Sequence, residues 1–203
     1  MLLLVPTYFP SISQFAAMAQ AGTVMLEVCD SFQKQTNRNR MYIYSPNGIQ
    51  LLNVPVRHDK TRRRMTRDVL IDNSFGWQKQ HFKSLEAAYR SSPFFEFFED
   101  AIAPIFHKRH EFLMDLNLQA LDVVARCIGT ELKLSETVEY FREPEGFTDL
   151  RPLANGKKDP VQLEPYTQVF GEKFGFINNL SVLDLLFNEG RHAREYLLRQ
   201  QII

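Results

Sequence analysis

The sequence lacks the features that would point directly to a known cofactor or metal site. It has only two cysteines, Cys29 and Cys127, and each lies in an apolar stretch. We interpret both as buried free thiols of a reducing compartment, because their spacing supports neither a disulfide nor a two-cysteine metal site. The GxGxxG, GxxxxGKS/T, GxSxG and HExxH motifs are all missing. The sequence therefore identifies no cofactor and no metal site.

An excess of charge of either sign is also missing. Lysine plus arginine and aspartate plus glutamate both number 24, which argues against nucleic acid as a partner. No apolar run approaches the roughly 18 residues that a membrane-spanning helix needs. The opening Met-Leu-Leu-Leu-Val-Pro lacks the basic start and long apolar run of a signal peptide. We therefore predict a cytoplasmic protein without membrane insertion, and the oligomeric state is left open.

The residues that are present predict one α/β domain over residues 1–203. Apolar residues make up 44% of the chain and 17 residues are phenylalanine, which is enough for a substantial core. We divide the domain into a sheet-rich half, a helical section and a C-terminal part, at residues 1–72, 73–130 and 131–203. Residues 136–165 have the composition of a long irregular segment.

The opening of the chain predicts a βαβ unit. Apolar runs predict strands at residues 2–5 and 23–29, and helical spacing predicts a helix at residues 12–20 between them. Such units are almost always parallel, so we predict a Rossmann-like, open, mostly parallel sheet. A hairpin is predicted at residues 40–44 and 49–54 around a proline-asparagine-glycine turn.

The remaining elements follow from periodicity. Three helices are predicted, at residues 75–90, 93–107 and 111–128. Asn73 or Ser74 is the expected cap of the first helix, and the phenylalanine-rich face of the second is expected to be core. The C-terminal part is predicted to hold two strands, a short helix and a helical tail, at residues 132–134, 166–170, 180–187 and after Gly190.

One polar stretch is the strongest candidate for a ligand site. Residues 30–40 read DSFQKQTNRNR and directly follow the second predicted strand; we call them the polar segment. Ligands of open parallel sheets bind beyond the carboxyl ends of the strands, so we expect the polar segment and the loop around Tyr8 to share one cleft. Guanidinium and amide groups suit phosphate, carboxylate or sugar hydroxyls, although a solvated loop with capping amides is the alternative.

Two residues are candidates for catalysis. Asp30 ends a strand at the expected ligand edge, where a carboxylate holds a hydroxyl or a proton or else caps the loop. His81 is either a general base or a half-buried structural residue. The candidate substrate-binding residues come from both loops and from the third helix, namely Tyr8, Gln33, Lys34, Asn37, Arg38, Asn39, Arg40 and Asn117.

The sequence leaves open the positions of three groups of polar residues. In an extended chain Arg38 and Arg40 would lie on one side of the polar segment. Asn117, in the middle of an apolar helix, is either a structural amide or reaches the cleft. Residues 57–67 include six arginines and lysines and form either a solvated loop or an anion-binding flap.

These motifs, taken in order, resemble the WbqC-like protein family over roughly residues 3–130. The resemblance rests on a set of short matches, namely TYFP near the N-terminus, FQKQTNRNR after Asp30, Asn47-Gly48, Val54-Pro55, Trp77 with His81, Tyr89, Pro93-Phe94-Phe95 and Asp115-Leu116-Asn117. The closing FINNLSVLDLLFNEG is similar to a branch typical of gut Bacteroidetes. Many members carry His-Gln-Pro ahead of the tyrosine, where this sequence has Leu4, Val5 and Pro6.

The resemblance implies a function in bacterial surface-polysaccharide biosynthesis, where genes of this family are often found. On that basis we expect a transferase that acts on a sugar or nucleotide-sugar, with a small anionic or sugar ligand. Because the family histidine is absent, a non-catalytic protein that binds a ligand or partner of the same pathway is the alternative. A third hypothesis is that the polar segment only ties loops together.

Overall fold

The computed structural model describes residues 1–57, 64–156 and 159–202. The chain opens with β1 (Leu2–Leu4), α1 (Ile12–Ala21) and β2 (Thr23–Leu26). The two strands pair in parallel with Leu2 opposite Val24, so the predicted βαβ unit is present. Ser11 caps α1, and Gly22 ends it in the left-handed conformation at a φ of 66°, which glycine adopts without strain.

The next two strands form the predicted hairpin. They are β3 (Arg40–Ser45) and β4 (Gly48–Asn53), joined by the turn at Pro46 and Asn47. Their antiparallel register places Ser45 opposite Gly48 and Arg40 opposite Asn53. The hairpin is a separate two-stranded sheet, and its open end lies next to the polar segment because β3 begins where that segment stops.

A four-stranded parallel sheet is completed by β5 (Lys133–Glu136) and β6 (Thr148–Asp149). The strand order is β5-β2-β1-β6, and every neighbouring pair is parallel. The structure is therefore a mixed α/β fold with a parallel sheet. β5 lies close to the predicted strand at residues 132–134, whereas β6 was not predicted because two residues carry no periodic pattern. Since all four strands run the same way, the residues that follow them meet at one edge.

The remaining α-helices of the described chain are α2 (Trp77–Tyr89), α3 (Phe95–His107), α4 (Leu113–Ile128), α5 (Gly171–Phe174), α6 (Val182–Glu189) and α7 (Ala193–Arg199). The predicted caps of α2 are wrong, because Gly76 precedes its first residue without a side-chain cap. Asn73 instead accepts a hydrogen bond from the Trp77 indole at 3.3 Å, and Ser74 donates to the carboxylate of Asp72 at 2.7 Å. The polar groups that favoured capping are used within the turn before the helix.

The phenylalanine-rich face of α3 belongs to the core, with one exception. Phe95, Phe98 and Phe106 are buried, while Phe97 is 67% exposed. Within the described residues, no helix combines the length and the apolar character needed to cross a bilayer.

The predicted strand at residues 166–170 is wrong. Tyr166 and Gln168 instead direct their side chains to Asp184 of α6, which also accepts a hydrogen bond from the Tyr89 hydroxyl at 2.7 Å. Asp184 is fully buried, and this burial raises the pKa of its carboxyl group. Side-chain hydrogen bonds therefore fix a segment that has no strand partner.

Gly190 gives a test of how tightly these helices pack. Its φ of 55° and ψ of −118° are readily adopted only by glycine, and an added Cβ would lie 2.7 Å from the ring of Phe94. We expect Gly190→Ala to lower the free energy of unfolding by about 3 kcal/mol, from backbone strain plus overpacking.

The matched control is Gly129→Ala. Gly129 also has a positive φ, of 73°, but nothing lies within 4 Å of the position that an added Cβ would take, so we expect a loss of only about 1 kcal/mol. Urea unfolding followed by circular dichroism measures both. Equal losses in the two variants would contradict the proposed contact with Phe94.

Candidate functional site

The loop after β1 and the polar segment, which were expected to share one cleft, are in direct contact. The backbone N–H of Tyr8 donates to the carbonyl of Asn37 at 2.9 Å. The side-chain amide of Asn117 donates to the carbonyl of Arg38 at 2.8 Å and to that of Pro6 at 3.4 Å. Asn117 on α4 thus bridges the two loops, which corresponds to the structural role that was one of its two predicted alternatives. The bridge holds both loops at the carboxyl edge of the sheet.

A buried ion pair organises the polar segment. Arg38 donates from Nη2 to one carboxylate oxygen of Asp30, and the hydroxyl of Thr66 donates to the other. The side chains of Arg38 and Asp30 are only 4% and 6% exposed. Arg38 Nη1 also donates to Thr36 at 3.2 Å. The two residues therefore use much of their hydrogen-bonding capacity on each other and on neighbouring loops.

One pocket lies beyond the carboxyl ends of the strands, and we call it the sheet-edge pocket. It has a volume of about 310 Å³. The lining residues are Asp30, Gln33, Arg38, Tyr140, Asp149, Arg151, Pro152 and Asn155. They lie at or after the carboxyl ends of β2, β5 and β6, so the parallel topology brings together residues that are far apart in sequence.

Arg151 and Asp149 form the second ion pair of this pocket. The guanidinium of Arg151 donates to both carboxylate oxygens of Asp149, at 2.8 and 2.7 Å, and these bonds hold the pKa of Asp149 below its ordinary value. Arg151 also donates to the carbonyl of Phe141 at 2.6 Å, and its guanidinium carbon lies 5.5 Å from the centre of the Tyr140 ring. The arginine therefore fixes a carboxylate and supports an aromatic ring at once.

Glu27 lies in the protein interior next to the same pocket and stabilises its walls. This fully buried carboxylate accepts hydrogen bonds from the Cys29 N–H at 3.0 Å and from the Thr137 hydroxyl at 2.9 Å. Its second oxygen lies 3.5 Å from Arg151 Nη1. Glu27 thereby anchors the chain after β5, which carries Tyr140, against the chain after β2.

Sequence reasoning missed Glu27, Tyr140, Asp149 and Arg151. The last three lie in a stretch that was interpreted as irregular, and no motif marks them. The only available indication is that Asp149 and Arg151 are two residues apart, a spacing at which an aspartate accepts hydrogen bonds locally. Only pairing of β6 with β1 places them at the ligand edge.

The lining of the sheet-edge pocket is polar but balanced in charge. Asp30 and Asp149 are each paired with an arginine, Gln33 and Asn155 add amides, and Tyr140 is 53% exposed. Among the described residues, nothing accepts a hydrogen bond from the buried Nε of Arg38. The pocket can therefore offer donors, acceptors and a ring face to a polar ligand without attracting anions strongly.

Arg40 faces a different cavity, which we call the basic pocket. Its volume is about 410 Å³. The lining residues are Phe32, Lys34, Gln35, Asn39, Arg40, Asn53, Pro55, Val56 and Asp72. The polar segment is a series of turns rather than an extended strand, so Arg38 and Arg40 do not share one side and the segment separates the two pockets.

Tyr8 and His81 lie in the core. Tyr8 is completely buried and His81 is 3% exposed, and 3.0 Å separates the Tyr8 hydroxyl from His81 Nδ1. Burial lowers the pKa of His81 to about 4, although a backbone hydrogen bond with Asn53 acts in the opposite direction. Neither residue lines the sheet-edge pocket or the basic pocket. The expected contribution of Tyr8 to a shared cleft is therefore not seen in either pocket.

Asn37 joins the polar segment to the chain after β6. Its N–H donates to the carbonyl of Ala154 at 2.7 Å, and its side-chain nitrogen lies 2.9 Å from the position of a Cβ built on Gly156. Asn37 is buried and lines neither the sheet-edge pocket nor the basic pocket. Its position favours a role in shaping the sheet-edge pocket.

The segment at residues 57–67, predicted as a solvated loop or an anion-binding flap, is described only at its ends. Residues 58–63, the greater part of this segment, lie outside the described residues. At the described end, the N–H of Phe32 donates to the carbonyl of Arg64 at 2.9 Å, and the N–H of Thr66 donates to the carbonyl of Asp30 at 2.9 Å. This end of the loop therefore packs along the polar segment.

The buried ion pair predicts different consequences for the two arginines. Arg38→Gln and Asp30→Asn each leave a charge buried without its partner, so we expect each to lower the free energy of unfolding by about 3 kcal/mol. Arg40→Gln is the matched control and should stay close to wild type, because within the described residues the Arg40 side chain makes only a hydrogen bond to Asn53, at 3.2 Å. Chemical denaturation measures all three, and equal stability of the two arginine variants would contradict this assignment.

His81 predicts part of the pH dependence of stability. Its pKa is about 4 in the folded protein against an ordinary 6.5, so between these values the unfolded chain binds a proton that the folded chain does not. Stability contributed by the neutral imidazole is complete above pH 6.5 and is lost as the pH falls towards 4, by up to about 3 kcal/mol.

The variant His81→Gln should remove this contribution to the slope of unfolding free energy against pH. His192→Gln, at an exposed position, is the control and should keep the wild-type slope. Denaturation curves at a series of pH values measure the difference. A slope unchanged in His81→Gln would show that the imidazole is protonated equally in both states.

Comparison with known proteins gives a family but no tested activity. The model of the WbqC-like protein family matches residues 6–151, and this range contains the polar segment and all of the sheet-edge pocket except Pro152 and Asn155. The uncharacterized protein Rv1507c of Mycobacterium tuberculosis is 26% identical over 223 residues, covering 94% of each chain. No solved structure matches. Since the family model spans more than half of its residues, the chain belongs to the WbqC-like protein family.

Proposed function

We propose that the sheet-edge pocket binds a sugar or nucleotide-sugar and that the protein acts on it as a transferase in bacterial surface-polysaccharide assembly. The observation that carries the proposal is the lining, in which two aspartate–arginine pairs surround an exposed tyrosine ring at the carboxyl edge of a parallel sheet. The pathway is supported by family membership, since genes of this family are often found among such functions.

The chemistry of the lining favours a polyhydroxyl ligand over a bare anion. Each sugar hydroxyl both donates and accepts, and the paired carboxylates and amides supply complementary groups. The Tyr140 ring, supported by the Arg151 guanidinium at 5.5 Å, offers the flat face on which a sugar ring packs. A volume of about 310 Å³ lies at the lower end of the range for small-molecule pockets, roughly 300–1,000 Å³.

The carboxylates have distinct roles in this proposal. Asp149 accepts a hydroxyl hydrogen bond and is the group placed to receive a proton, since its side chain is 33% exposed. Asp30, held by Arg38 and Thr66, positions a hydroxyl through its remaining lone pairs. His81 stabilises the fold from the core, and Lys34, Asn39 and Arg40 belong to the basic pocket.

A protein that binds its ligand without turnover is the second candidate. It is favoured by a specific observation, namely that both carboxylates of the sheet-edge pocket are already bound to arginines, which disfavours proton uptake. The absence of the family histidine before Tyr8 points the same way. The two candidates share the binding site and differ only in reaction.

Binding is tested by isothermal titration with nucleotide-sugars and the corresponding free sugars. We expect saturable binding that Tyr140→Ala weakens about tenfold, because it removes the ring face. Phe97→Ala is the control, since this ring is 67% exposed on α3 and lies outside the pocket. Absence of saturable binding throughout the set, or wild-type affinity in Tyr140→Ala, would refute the site.

Turnover separates the two candidates. A transferase that moves the sugar of a bound nucleotide-sugar breaks the bond between sugar and diphosphate, joins the sugar to an acceptor hydroxyl that gives up its proton, and releases nucleoside diphosphate. Asp149→Asn should slow this release more than it weakens binding. Chromatographic detection of the released nucleotide measures the rate. Binding that persists with no release for any donor and acceptor sugar would leave the non-catalytic function.

A further inference from the structure

The basic pocket has an excess of positive charge that the fold does not neutralise. It contains Lys34, Arg40 and a single carboxylate, Asp72. Both cations lack an ion pair among the described residues. The pocket therefore differs from the sheet-edge pocket, where each arginine is matched by an aspartate.

Arg40 is held by one atom and leaves the rest of its guanidinium available. Its Nε donates to Asn53 Oδ1 at 3.2 Å, and the same oxygen accepts from Asn39 Nδ2 at 3.2 Å. Asn39 is fixed in turn by donating to the carbonyl of Val54 at 2.8 Å. The two terminal nitrogens of Arg40 have no partner in the described part of the chain, and such a fork binds two oxygens of one phosphate group.

Among the described residues, Asp72 forms no ion pair with Arg40, although both line the basic pocket. Its carboxylate accepts hydrogen bonds from the N–H and the hydroxyl of Ser74, at 3.0 and 2.7 Å, and these bonds lower the pKa of Asp72. Both bonds are accepted by Oδ1, so this oxygen is committed to the turn that precedes α2. The net charge of the lining stays positive, which attracts an anion into the pocket.

The pocket is larger than a bare phosphate needs and has an apolar side. Phe32, Pro55 and Val56 line it, and Phe32 and Val56 pack against the hydrophobic core, so this side is fixed. A phosphate ester can place its charged group on Lys34 and Arg40 and its organic part against these residues. A free inorganic ion would leave the apolar side uncovered.

We propose that the basic pocket binds the phosphate group of an organic phosphate ester, through Arg40 and Lys34. This site is separate from the sheet-edge pocket, because the two have no lining residue in common. It goes beyond the proposed function, and it stands whether or not the other pocket binds a sugar.

The test uses phenyl phosphate, inorganic phosphate and phenol as probes in isothermal titrations at constant ionic strength. We expect saturable binding of phenyl phosphate, weaker binding of inorganic phosphate and none of phenol. Arg40→Gln and Lys34→Gln should each weaken phenyl phosphate binding about tenfold. Arg40→Lys keeps the charge but loses the fork and should fall between wild type and Arg40→Gln.

Arg126→Gln is the matched control, because Arg126 is an exposed cation of α4 paired with Asp122 at 2.7 Å. Circular dichroism and thermal unfolding check that each variant is folded. Absence of saturable phenyl phosphate binding to the wild type, or equal affinity in Arg40→Gln and Arg126→Gln, would overturn the proposal. Tyr140→Ala distinguishes the two pockets, since loss of phenyl phosphate binding in this variant would place the ester in the sheet-edge pocket instead.

Discussion

The buried ion pair between Arg38 and Asp30 is the interaction on which the candidate site depends. Both side chains are almost fully buried, and removing one partner leaves the other charge in a medium that solvates it poorly. The pair, together with Thr66, draws the end of the polar segment back towards the end of β2. Hydrogen bonds of Asn37, Asn39 and Asn117 hold the rest of the segment in place.

The course of the polar segment turns one run of polar residues into two surfaces of different character. Arg38 contributes to a pocket where carboxylates and guanidinium groups balance, whereas Arg40 contributes to one where cations are in excess. The difference arises from neighbours rather than from residue type, since both residues are arginines. Asp30 after β2 pairs with Arg38 in the first pocket, whereas Arg40 in the second pocket is bonded only to the neutral amide of Asn53 among the described side chains.

Sequence patterns predicted the elements that repeat and failed where single contacts decide. The βαβ unit, the hairpin and the three long helices have enough residues to display a period. β6 has two residues and no period, so Asp149 and Arg151 could not be assigned to the ligand edge. The predicted strand at residues 166–170 failed because hydrogen bonds from Tyr166 and Gln168 to the buried Asp184 replaced those of a sheet. His81 was placed on a helix correctly, but its depth and its contact with Tyr8 follow from packing.

The sequence by itself determined the family resemblance, the parallel start of the fold and the expectation that the loop after β1 would lie beside the polar segment. Local spacing is sufficient for these, because a strand, a helix and a parallel partner leave few topologies open. Tertiary structure alone decided which polar groups are free. An arginine can bind a ligand only if it is not already paired with a buried aspartate. That pairing depends on contacts between distant parts of the chain, and the order of the residues does not show these contacts.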